Sequence, residues 1–229
     1  MIVVSDTSPI SNLIQVDMIG PYPIKAIEEV LLNFSKLRFD QSYLILGAVS
    51  GSTFRAYGSD QSSCEPQSVF RSWALGFLET ERNEIEGSTD FEILHSNMVE
   101  SLRKYWKEND KRELAIHQAW KLIDLLCKRF PCWADLSDNR RTWFLRNGHV
   151  PIDKFSLNLL RIAAPEFAKK VKIKEGVSMG WLKGENEKHY YPIQEKIRET
   201  CGHYPPLVFD LLAWNEERTF DLRPKIQDK

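Results

Sequence analysis

The sequence predicts an all-α fold, a single helical domain over residues 1–229, and three observations carry the prediction. Apolar residues recur at three- and four-residue spacing in segment after segment, the period of a helix with one buried face. Prolines and glycines fall between those segments, where helices stop. There is no internal repeat and no low-complexity stretch, so the many short helices must pack on one another, ridges into grooves.

The elements follow in order. Met1 to Ile10 reads as a short apolar strand or extended arm, and the arm as a whole runs over residues 1–23 up to the Gly20-Pro-Tyr-Pro breaker. Ile24, Ile27, Val30, Leu31 and Phe34 place a helix between Ile24 and Leu37. Leu44 to Val49 is apolar and fits either a buried helix start or a strand. Ser50 to Gln67, rich in Ser and Gly, reads as a loop or broken helix. Phe70 to Leu78 reads as a short aromatic helix, and the acidic Glu79 to Asp90 as a solvated connector. Asn97 to Lys107 is a strong helix, followed by a charged turn ending at Lys111. Leu114 to Phe130 is the best helix in the chain, and Pro131 stops it. Asp138 to Leu145, capped by Gly148, and Ile152 to Ala163, stopped by Pro165, come next. Gly176 to Gly184 is a loop, and the helices Tyr190 to Thr200 and Leu207 to Trp214 close the chain.

Composition bounds the function. Hydrophobic residues at 42% and charged residues at 28% suit a globular core that needs no staple. The net charge of −1 provides no global basic field, so a nucleic-acid surface must concentrate its cations on one face. Four irregularly spaced cysteines form no Cys-x-x-Cys pair and read as reduced thiols. No metal and no cofactor are expected. The N-terminus has no targeting pattern and no run approaches a membrane span, so the expectation is a cytoplasmic monomer without a membrane partner.

Three pieces carry the chemistry. His149-Val-Pro-Ile-Asp-Lys-Phe-Ser-Leu-Asn-Leu-Leu-Arg161 opens a helix with an aspartate just after a proline. Lys111-Arg-Glu-Leu-Ala-Ile-His-Gln-Ala-Trp-Lys-Leu-Ile-Asp124 starts a helix with two cations. Tyr190 to Trp214 contains a helix, a Gly turn, a double proline and an Asp-x-x-x-Trp ending. In this order and spacing, within residues 97–215, the three resemble the helix-hairpin-helix DNA glycosylase superfamily, nearest its archaeal-type 8-oxoguanine branch.

That resemblance implies a helical bundle acting on double-stranded DNA with a flipped modified base. The base is an oxidised purine or, in phage DNA, a hypermodified pyrimidine, which would make the chain a defence enzyme. The family's essential aspartate falls on Asp153. A carboxylate there stabilises the positive charge that builds on the sugar as the base departs; the blander role for Asp153 is a helix cap, and one residue can do both. The resemblance makes Lys111 the amine that forms a Schiff base with the sugar. Aligning the following apolar residues instead brings Arg112 to the family's lysine position, and arginine, always protonated, leaves water as the nucleophile. Lys107-Glu-Asn-Asp-Lys111 stands where most of the superfamily has a Gly-x-Gly hairpin. Arg112, Arg140, Arg141, Arg146, His149 and Lys154 are the candidate DNA contacts, against the alternative of a solvated helix face.

Other readings stay open. Arg112 and His117 have the Arg-x4-His spacing of HEPN-type ribonucleases, and Met1 to Asn12 resembles the first strand of PIN nucleases with Asp6 as a metal ligand. Both families belong to toxin and defence systems. A helical nucleic-acid-binding module without chemistry is the third.

Overall fold

The computed structural model describes residues 36–49, 53–57, 65–110 and 112–220. The N-terminal arm with Asp6, all but the last two residues of the helix expected at 24–37, and Lys111 lie outside the described residues. Among the described residues there are ten α-helices and no β-strand, only an isolated bridge between Phe39 and Trp133. None of these helices is long and apolar enough to cross a membrane.

Local chemistry sets the helix ends. Helix α1 (Gln41–Ala48) starts where the Asp40 carboxylate accepts the Tyr43 N–H at 2.8 Å, which decides the Leu44 segment as helix. Helix α2 (Pro66–Thr80) begins on a proline, tolerated because first-turn amides have no intrahelical partner. Its buried face is Val69, Phe70, Trp73, Ala74, Phe77 and Leu78. The connector read between Glu79 and Asp90 contains a short helix, α3 (Arg82–Gly87), anchored by the fully buried Ile85. Helix α4 (Phe91–Asp110) starts six residues before the expected Asn97. There the Asp90 carboxylate accepts the Glu92 and Ile93 N–H groups, and Phe91 and Leu94 add a buried turn.

Helix α5 (Ile116–Cys127) is the central element, with eight of its twelve residues buried. Pro131 ends it within a 3-10 turn at Phe130–Cys132. Helix α6 (Asp138–Asn147) is capped by the Ser137 hydroxyl and closed at Gly148. Glycine is required there by proximity: an added Cβ would stand 2.7 Å from the Phe144 carbonyl oxygen. Helix α7 (Lys154–Ala163) follows a loop through residues 148–153. Pro165 does not merely stop it but opens another helix, α8 (Pro165–Val171), because its fixed φ suits a first turn. Helices α9 (Tyr190–Cys201) and α10 (Leu207–Phe220) turn on Gly202, whose φ of 60° favours glycine.

Packing assembles these into one core. Helix α4 lies on both α2 and α5, α1 touches α2 and α5, and α10 covers α7. Trp106, Trp133, Tyr190, Phe70, Phe130 and Phe144 are fully buried, each contributing roughly 2–3 kcal/mol of apolar burial. The loop before α7 is held from inside: buried Gln194 on α9 accepts the Val150 N–H at 2.9 Å and donates to its carbonyl at 2.8 Å.

That clamp yields a stability prediction. Gln194→Leu strands a buried donor and a buried acceptor, and the cost should be about 2–4 kcal/mol in urea unfolding. An unchanged midpoint with unchanged slope would show that Val150 is held by other means.

Candidate active site

Helix α5 carries a polar stripe through an otherwise apolar sequence. His117, Lys121, Asp124 and Lys128 are spaced by four, three and four residues, which places all four within an arc of roughly 60°. None is well exposed: His117 and Asp124 are buried, and the Lys121 and Lys128 side chains are 20% and 11% accessible. A helix that turns four ionisable groups inward must find a partner for each.

Lys121 finds Asp153. The Asp153 carboxylate caps α7, with Oδ1 accepting the Phe155 N–H at 2.9 Å and the Ser156 N–H at 3.1 Å. The Ser156 hydroxyl accepts the Asp153 N–H in return, a capping box that fixes the side chain. Oδ2 takes no part in the cap and lies 3.8 Å from Lys121 Nζ. Burial raises the Asp153 pKa; the Lys121 charge pulls it down, Asp210 pushes it up, and the two cap N–H groups lower it again.

Lys128, one residue past α5, finds Asp210 on α10 in a short ion pair, both side chains nearly sealed. Asp210 Oδ1 has no hydrogen-bond partner. The two ion pairs share one region, since Asp210 is felt electrostatically at Asp153 and α10 packs on α7, with Phe155 and Trp214 in ring contact at 4.4 Å. Lys128 and Asp210 also line a small cavity together with Phe144, Gly148, Val150 and Pro151.

Asp124, at the edge of this stripe, turns into the core. Its Oδ1 meets His95 Nε2 of α4 at 2.9 Å and accepts the Tyr190 hydroxyl at 2.7 Å. Tyr190 Oη is also 3.0 Å from His149 Nδ1, and His149 Nε2 meets Glu92 Oε1 at 2.8 Å. Trp120 stacks on Tyr190 with ring centroids 4.2 Å apart and planes within 8°. Burial, the largest effect, lowers the His149 pKa, although its bond to Glu92 works against this.

The structure therefore separates the residues singled out in the sequence. Asp153 stands at a helix start, as expected. Arg112 is turned to the buried Asp110 at 2.7 Å and to the Tyr57 carbonyl at 3.0 Å, so its guanidinium compensates an internal charge instead of facing DNA. Arg140 is buried, stacked 3.5 Å over Trp143 and bonded to the Ser88 carbonyl, and burial pushes its pKa down to about 10. Arg141 is spent on the Leu136 carbonyl and Asp138, and His149 is sealed in the core. The polar groups of these four are engaged within the fold. Arg146 and Lys154 are exposed. His117 is buried on α5, its pKa lowered by burial, while Arg112 is engaged elsewhere.

Lys121, Lys128, Asp210 and the His95–Asp124–Tyr190 group were not singled out. The polar stripe along α5 was their signal, visible as ionisable residues recurring on one face of an apolar amphipathic helix and at its C-cap. Compared with protein-family models, with curated proteins and with solved structures, the chain matches none.

Proposed function

We propose that the chain is a DNA N-glycosylase with an associated lyase activity, in which Lys121 is the amine and Asp153 the carboxylate. The observation that carries this reading is the approach of Lys121 Nζ to the uncapped oxygen of Asp153, 3.8 Å, in a largely dehydrated setting. Arg112 is committed to Asp110, and Lys121 is the amine paired with the aspartate that the family resemblance marks.

The chemistry follows from those two groups. Lys121 gives a proton to Asp153, whose raised pKa makes it the better acceptor, and its nitrogen lone pair attacks the sugar C1′. The N-glycosidic electron pair leaves with the base, which takes the proton from Asp153, and the carboxylate so restored stabilises the cationic sugar. Asp153 then takes the second amine proton and returns it to the ring oxygen as the C1′–O4′ bond breaks, leaving an imine with Lys121 from which the strand is cleaved by elimination. Asp153 is held by its cap throughout, so no reorganisation is required of it at the moment of reaction. The substrate of this reading is a flipped modified base, an oxidised purine or a hypermodified pyrimidine. Exposed Arg146 and Lys154, on either side of the loop before α7, supply phosphate contacts.

Three outcomes test this. Borohydride should trap a protein–DNA adduct with wild type and Lys111→Ala but not with Lys121→Ala, on duplexes whose modified base the protein releases. Asp153→Asn should slow base release about a hundred- to thousandfold in single-turnover assays. Trapping by Lys121→Ala would move the nucleophile elsewhere.

The pH dependence has a defined sign. Proton transfer needs ionised Asp153, so base release should fall on the acid side through a pKa above the ordinary carboxylate range. Asp210→Asn removes a like charge and should shift that limb to lower pH; a shift upward contradicts the proposed coupling. For binding, the double substitution Arg146→Ala, Lys154→Ala should reduce the slope of log K against log salt by about 2. An unchanged slope would return both residues to a solvated surface.

A further inference from the structure

We propose that His95 Nε2, His149 Nδ1 and Asp124 Oδ1, with Tyr190 Oη as fourth donor, form a structural zinc site at the centre of the fold. The four atoms come from α4, the loop before α7, α5 and α9, so one ion would tie four separate elements. The site is distinct from the Lys121–Asp153 pair, and its presence does not depend on any DNA chemistry.

Geometry comes first. The three His and Asp donor atoms lie within 4.8 Å of one another. The separations from Asp124 Oδ1 are 2.9 Å to His95 and 3.9 Å to His149, and those from Tyr190 Oη are 2.7 Å, 3.0 Å and 3.2 Å. Zinc bonds of about 2.0–2.2 Å in a tetrahedron separate donor atoms by roughly 3.4 Å, in the middle of that range. All four side chains are sealed from solvent, which leaves no position for a reactive water and makes the site structural.

Proton count comes second. His149 Nε2 is directed at Glu92 Oε1, so a neutral His149 carries its proton there and presents a lone pair at Nδ1. The single hydrogen of Tyr190 cannot then serve both the Asp124 carboxylate and the His149 lone pair. A cation at the centre would accept a lone pair from each of the four donor atoms.

Charge comes third. Asp124 is a fully buried carboxylate; among the described residues its charged contacts are to histidines, with no lysine or arginine paired to it, and its Oδ2 has no hydrogen-bond partner. Buried carboxylates of this kind are compensated by pairing or by a metal. One divalent ion, with Asp124 and the outer Glu92 ionised and Tyr190 a neutral phenol, leaves the assembly uncharged. Glu92 stands to His149 as the outer carboxylate stands to a metal-bound imidazole in known zinc sites.

The test uses the full chain. Metal analysis of purified protein should give one zinc per chain. After unfolding with chelator, refolding with zinc should raise the urea midpoint over refolding without it, and cobalt should substitute with the absorption of a tetrahedral site. His149→Ala and Asp124→Asn should each abolish cobalt binding. Glu92→Gln, at a half-exposed position that the fold tolerates, should weaken zinc about ten- to hundredfold. Equal stability with zinc and with chelator, together with no cobalt spectrum in wild type, overturns the proposal and leaves a hydrogen-bonded cluster. Cobalt binding that survives both His149→Ala and Asp124→Asn overturns it as well.

Discussion

The fold is organised around a carboxylate that has no business in an apolar core. Asp124 sits within the most buried helix, and His95 and Tyr190 meet one of its oxygens directly. Those two residues reach it from α4 and α9, and His149 reaches Tyr190 from the loop before α7. Satisfying one charge thus dictates how four segments are placed. Partial loss of such a network is worse than never having built it, because each stranded group keeps its desolvation cost.

The candidate site inherits this order. Lys121 and Lys128 flank Asp124 on the same helix face, so the helix rotation that buries Asp124 also directs both lysines toward α7 and α10. The clamp between Gln194 and Val150 and the sealed His149 hold the loop that delivers Asp153. The capping box then divides the aspartate's labour: one oxygen is consumed by backbone N–H groups and the other is left facing Lys121. A lysine and an aspartate from helices far apart in sequence thereby meet in a defined geometry, the requirement for a preorganised reaction centre.

Cations illustrate how a basic stretch misleads. Arg140, Arg141 and Arg146 fall within one helix, and only Arg146 remains on the outside. Arg140 covers the faces of Trp143 and Phe144, and Arg141 satisfies carbonyls at the preceding turn. Both uses draw on the planar guanidinium, which stacks on rings and spreads several donors, so an arginine beside aromatic residues is as ready to build a fold as to bind phosphate.

What the sequence determined by itself was the helical class, the positions of most helices and the start of α7 at Asp153. These are local matters: apolar period, proline, glycine and capping chemistry act within a few residues. Three further local features were not read from the pattern: the Asp90 cap that extends α4, the Pro165 start of α8, and the short α3 anchored by buried Ile85. The partner of Asp153 was a different kind of question. Lys111, Arg112 and Lys121 all lie near one helix start, and nothing local ranks them as neighbours of a residue more than thirty positions away. Only the tertiary arrangement, with Asp124 turned inward and Arg112 drawn to Asp110, brought Lys121 to the aspartate, because side-chain approach is decided by which faces the fold buries together.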